Sequence, residues 1–247
     1  MELWTKEHAY TLLPAVAVML AICVILRKTL GNKDVKVRMI PFQVLAWLLF
    51  ALEIGKQTVS LTRGYDLYHL PFHFCSLFIF MLPVMAVYRG KHEQTVRGLT
   101  AALCASVFLL MMIYPSLIYS AWDITHFFND FMAFHTVAFH NIVVMEFFLI
   151  VALRLHTPGT KREQTFIVLF ILAFCAVCGS MSQLLKTNYN NMYSCNIPPL
   201  ESLRLSLQPV LGYGVTQLLY VLIVSALDVG FVLMCYWLYR GVRRLLK

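Results

Sequence analysis

Seven runs of mostly apolar residues follow one another with only short polar segments between them, and this pattern leaves few folds open. They lie at about 8–27, 38–61, 70–88, 97–118, 130–153, 164–185 and 213–239. A helix of roughly 20 apolar residues crosses the ~30 Å hydrocarbon core of a bilayer. Composition agrees: 60% of the residues are hydrophobic and 13% charged, against roughly 45–50% and about 25% in soluble domains. Mean hydropathy is +0.73. Lipid is therefore the solvent for most of the surface. The expected fold is all-α, a polytopic membrane helix bundle of seven transmembrane helices forming a single transmembrane domain over residues 1–247. The N-terminal MELWTKEHAYTLL has no basic n-region and no small-residue cleavage site, so the first run reads as a retained span.

Charge sets the expected orientation. The net charge of +8 comes from short loops, not from a nucleic-acid-binding face, and no nucleic-acid partner is expected. Arg27, Lys28, Lys33, Lys36 and Arg38 follow the first run. Arg89, Lys91 and Arg97 follow the third, Arg154, Lys161 and Arg162 the fifth, and Arg240, Arg243, Arg244 and Lys247 the last. These are alternate connections plus the tail, and the positive-inside rule makes that side cytoplasmic, with the N-terminus outside. The chain is expected to be a multi-pass integral membrane protein, in the cytoplasmic membrane if it is bacterial. Five of the seven cysteines lie inside apolar runs, so no disulfide framework follows. Cys175 and Cys178, among small residues, read as packing.

Three polar clusters from distant parts of the chain fall on the expected outer side. One is His69-Leu70-Pro71-Phe72-His73-Phe74-Cys75, opening the third run. One is Asn129 to Asn141, holding His135 and His140. The third is KTNYNNMYSCN, from Lys186 to Asn196, which supplies Asn188, Asn190 and Asn191. Pro71 suits the first turn of a helix, which would put Cys75 about 6 Å into the membrane. A thiol beside an imidazole is the minimal nucleophile–base pair; the plain alternative is a small packing cysteine and a histidine bonded to a neighbouring helix. At about 100° per residue His135 and His140 differ by roughly 140°, so the two do not serve one partner. A metal held by His69, His73 and His140 is the lesser reading; no metal is expected. In the second run Glu53 and Lys56 stand i,i+3 and can pair. Intramembrane charges are costly and mark functional sites; they would bind a lipid headgroup or lock the helix to its neighbours. Glu146 and Asp228 lie within spans without an assigned role.

Taken in order, LEIGKQ, HLPFHFC, FHN and NYNNMYSCNIPPLESL resemble the YwaF-like family, whose animal relatives are the transmembrane protein 164 group. The resemblance covers most of the chain; the loop after the sixth run is one or two residues longer than the family's bacterial form. It implies a bundle of about seven helices and phospholipid acyl transfer, with one Cys and one His as functional residues. By motif these are Cys75 and His140, with His135 the competing assignment. Membrane phospholipid is the implied partner, and no soluble cofactor is implied. His73, Glu53, Lys56, His135, Asn188, Asn190 and Asn191 are candidate substrate-binding residues, the asparagines as oxyanion donors. The alternative is a non-enzymatic binder or transporter of a lipid or small solute, although no inverted repeat or pair of broken helices is seen.

Overall fold

The computed structural model describes residues 3–159, 161–195 and 198–245. Its ten helices are α1 (Lys6–Leu30), α2 (Val35–Arg38), α3 (Ile40–Thr62), α4 (Leu77–Val87), α5 (Glu93–Ile113), α6 (Ala121–Thr125), α7 (Phe131–Ala152), α8 (Lys161–Leu185), α9 (Pro198–Leu211) and α10 (Tyr213–Leu245). No strand occurs among the described residues. Among the described residues six helical segments are long and apolar enough to cross a membrane: α1, the joined α2–α3, α5, α7, α8 and α10.

Helix α5 is the centre of the bundle. It packs on α10, α7, α4 and α8, while α3 lies on α7 and α4, and α1 on α7. Its small residues explain the position. Gly98, Ala101, Ala102, Cys104, Ala105 and Ser106 are all buried, and small side chains let helix backbones approach where lipid supplies no hydrophobic drive. At Gly98 the approach is closest, since a Cβ there would stand 1.6 Å from Glu163 Oε1. The outer faces run the other way. Leu13, Val18, Val24 and Ile25 on α1 and Leu218, Leu222, Ile223 and Leu227 on α10 are exposed. Such stripes suit contact with lipid.

The third apolar run differs from its expected form. The run 70–88 is helical only over Leu77–Val87, after a 3-10 turn at Phe74–Ser76. Leu70 and His73 have extended backbones (ψ 147° and 155°). A proline disfavours the α region in the residue before it, so Pro71 holds Leu70 extended instead of opening a helix. At 1.5 Å per residue α4 is about 16 Å long, half of a ~30 Å core.

The connections gather at two ends. At one, Arg38 Nη1 donates to Leu153 O (2.7 Å), Arg97 Nη1 to Leu155 O (2.7 Å) and Arg243 Nη1 to Val151 O (3.2 Å). The basic segments named above therefore meet there. At the other, His8 Nε2 is 2.9 Å from Tyr119 O, Tyr189 Oη donates to Leu67 O (2.5 Å), and Arg63 reaches Asp130 (3.1 Å). This second end holds all three polar clusters.

Candidate functional site

One face of α3 carries the polar residues of this end. Glu53, Lys56, Gln57 and Ser60 follow the three- and four-residue spacing that aligns side chains on a helix. Glu53 is buried and is the hub. Its Oε1 accepts from Lys56 Nζ (3.3 Å) and Gln57 Nε2 (2.6 Å), and its Oε2 lies 3.1 Å from His135 Nε2 on α7. Gln57 Nε2 also donates to His69 O (3.0 Å), while Tyr65 Oη donates to Gln57 Oε1 (2.8 Å). Ser60 Oγ is 2.5 Å from His69 Nδ1. The helix thereby fastens the loop that leads to Cys75.

That loop is held from its other side too. Cys178 Sγ donates to Phe72 O at 2.9 Å. His73 Nε2 donates to Tyr68 O (3.0 Å), and its ring stands 4.3 Å from the Tyr68 ring and 5.4 Å from the Tyr189 ring, between centroids. Burial raises the Tyr68 and Tyr189 hydroxyls above the usual tyrosine range. Cys75 sits in the 3-10 turn, half-buried.

His140 is buried on α7. Its Nδ1 is 2.7 Å from Thr136 O. A carbonyl only accepts, so Nδ1 carries the proton and Nε2 the lone pair. That Nε2 is buried and has no hydrogen-bond partner. His135 Nε2, also buried without a hydrogen bond, lies 3.1 Å from Glu53 Oε2. The two rings thus serve different partners, as their angular separation requires. Lys56 is the cation of this cluster, held by Glu53 Oε1 at 3.3 Å. No hydrogen bond joins the Cys75 thiol to His73, His135 or His140 among the described residues.

The three asparagines are placed in the loop after α8, which folds back into the protein, with Tyr189 and Met192 fully buried. Asn188 Oδ1 accepts from the Tyr193 and Ser194 backbone N–H groups (3.1 Å each). Asn190 Nδ2 donates to Asp228 Oδ2 (2.8 Å), and Asn191 offers its carbonyl to Tyr220 Oη. Asn190 and Asn191 have positive φ (47° and 56°), a region that asparagine tolerates better than most residues. Cys175 Sγ is 3.5 Å from the same Asp228 carboxylate. Gln57, Tyr65 and Tyr189 are further members of the cluster. Gln57 carried a signal, being polar and four residues after Glu53 inside an apolar run; Tyr65 and Tyr189, in polar loops, carried none. Among the described residues no group of three or more His, Cys, Asp or Glu converges as a metal-ligand set.

Fold and cluster together define a polytopic integral membrane protein with its polar chemistry gathered at one end of the bundle. A family model described as the TMEM164 family matches residues 3–236, and the chain belongs to that family. No significant match was found among curated proteins or among solved structures.

Proposed function

We propose that the chain is a membrane-embedded acyltransferase acting on phospholipid, with Cys75 as nucleophile and His140 as base. His140 Nε2 takes the thiol proton, and the thiolate attacks an acyl ester carbonyl. Collapse of the adduct forms a thioester and releases the lysolipid alkoxide, which takes the proton back from His140. A second hydroxyl, deprotonated by the same nitrogen, attacks the thioester and restores the thiol. Lys56, paired with Glu53, is the cation assigned here to a lipid phosphate or to the oxyanion. The observation that carries this reading is the buried His140 ring, whose Nδ1 is spent on Thr136 O and whose Nε2 has no hydrogen-bond partner within the protein. An unspent acceptor in a buried site costs free energy, which a base awaiting its substrate explains.

A second reading is a lipid-binding protein without chemistry. The absence of a hydrogen bond between the Cys75 thiol and these imidazoles favours it. Mass spectrometry of purified protein incubated with phospholipid separates the two. The acyltransferase forms an acyl adduct on Cys75 that Cys75→Ala and His140→Ala each abolish, with His135→Ala milder and all three variants folded and monodisperse. A protein that exchanges no acyl chain and carries no adduct is a binder.

A further inference from the structure

The basic end, remote from Cys75, holds two adjoining cavities. The first, of about 580 Å³, is lined by apolar side chains of four helices, among them Leu20, Val24, Phe108, Phe147, Ala152 and Val242, with Arg27 on its border. The second, of about 590 Å³, is lined by Arg38, Arg154, Arg240, Arg243 and Arg244 with Gly31, Thr157 and Pro158. The two abut along three helices. Gly31 is one turn beyond Arg27 on α1, Arg154 follows Ala152 at the end of α7, and Arg240 and Arg243 directly follow Tyr239 and Val242, which line the apolar slot.

Several of the arginines at this end have no acid beside them. No carboxylate lies within 4.0 Å of Arg27, Arg38, Arg240, Arg243 or Arg244 among the described residues. Arg38 and Arg243 spend N–H groups on the carbonyls of Leu153, Val151 and His156, yet the Nε of each is buried without a partner. The nearby acid Glu163 accepts from the Gly159 N–H (2.8 Å) and lies 3.0 Å from His156 Nε2. Topology requires Lys and Arg in these loops. It does not require five guanidinium groups to converge on one cavity, nor an apolar slot leading away from it.

We propose that this end is a binding site for a phospholipid with an anionic headgroup, its phosphate held by the arginine pocket and an acyl chain lying in the apolar slot. Guanidinium matches phosphate geometry with paired donors, and basic pockets between spanning helices take anionic headgroups. The slot selects a lipid over a free phosphate. The site is separate from the Cys75 end and does not depend on the acyl-transfer reading.

Native mass spectrometry of the full chain in neutral detergent, titrated with phosphatidylglycerol, phosphatidylcholine and glycerol 3-phosphate, tests it. Phosphatidylglycerol should bind at least about tenfold more tightly than phosphatidylcholine, and glycerol 3-phosphate far more weakly than either. Arg240→Gln with Arg244→Gln should remove the preference for phosphatidylglycerol, while Lys28→Gln with Lys33→Gln, equal in charge but outside the cavity, should leave it. Ala152→Phe, which fills the slot, should weaken both lipids; if that variant does not fold, the arginine pair decides alone. Equal binding of the two lipids, or an equal loss in the lysine pair, overturns the site. Glycerol 3-phosphate binding as tightly as the lipid overturns the lipid assignment in favour of a soluble phosphate.

Discussion

Glu53 shows how a charge survives inside an apolar helix. Three side chains meet its two oxygens: Lys56, Gln57 and His135. Removing the carboxylate strands Lys56, whose side chain is only 18% exposed. Breaking a buried pair by deleting one partner costs about 3–5 kcal/mol, much of it the penalty on the orphan. Glu53→Leu should therefore lower stability strongly, and Glu53→Leu with Lys56→Leu should recover part of the loss. Unfolding of the single and double variants in micelles gives the coupling, expected at about 0.5–3 kcal/mol. Simple additivity would show that the two charges do not sustain each other. The sequence made this pair legible, because i,i+3 spacing in an apolar run has few readings. It did not reveal His135 as the third partner, since that contact joins residues 82 positions apart and depends on how α3 and α7 pack.

At the scale of elements, the loop between α8 and α9 is the least legible segment, and it does the most to shape the site. Its sequence, rich in Asn and Tyr, marks a polar cluster on the outer side but not its partners, and the segment folds into the protein, where backbone polar groups need them. The protein supplies them through Ser182 Oγ with Tyr189 (3.2 Å), Gln217 Nε2 to Met192 O (2.8 Å), and Asn190 to Asp228. No local pattern reports that Asp228, mid-way along α10, is the anchor. Asp228→Asn keeps an acceptor for Asn190 and should cost a few tenths of a kcal/mol, while Asp228→Leu leaves a half-buried amide without its partner and should cost about 1 kcal/mol. Equal effects in thermal unfolding would rule out a hydrogen-bond role. The delayed start of α4 has the same origin. Leu67 and Phe72 give their carbonyls to Tyr189 and Cys178, so the non-helical backbone at 70–73 is held by distant partners as well as by Pro71. The start of α7, in contrast, is local. Asp130 accepts from the Met132 (2.8 Å) and Ala133 (3.1 Å) N–H groups, and these bonds, with Arg63, hold its carboxyl below the usual range. A depressed folded-state value means that the stabilisation is complete above the unfolded value of about 3.9 and is lost as pH falls through the lower folded value. Asp130→Ala should cost about 1 kcal/mol at neutral pH, and the difference from wild type should shrink below about pH 4. A constant difference down to pH 2 would exclude ionisation of Asp130 as the cause.

For the whole molecule, the division of labour between the two ends follows from charge. Arg38, Arg97, Arg154 and Arg243 belong to segments far apart in sequence that meet at one end of the bundle. Glu53, His135, His140 and the loop 186–195 belong to the other. Six segments are long enough to span, and α4 is the short seventh. If α4 crosses within the bundle, shielded by α3 and α5, seven crossings put the termini on opposite sides, and the positive-inside rule sets the arginine end in the cytoplasm. Phe128, in the loop before α7 and 93% exposed, then faces outward, while Asn32, exposed after α1, faces the cytoplasm. An impermeant maleimide applied to intact cells should label Phe128→Cys and not Asn32→Cys, in a background lacking the half-buried Cys195 and Cys75. Permeabilised cells should label both. Labelling of Asn32→Cys alone in intact cells would invert the molecule and place the Cys75 cluster on the cytoplasmic side. Labelling of both would remove a crossing between them. The expected pattern would put the proposed acyl transfer in the outer leaflet and the proposed arginine-lined lipid site in the inner one.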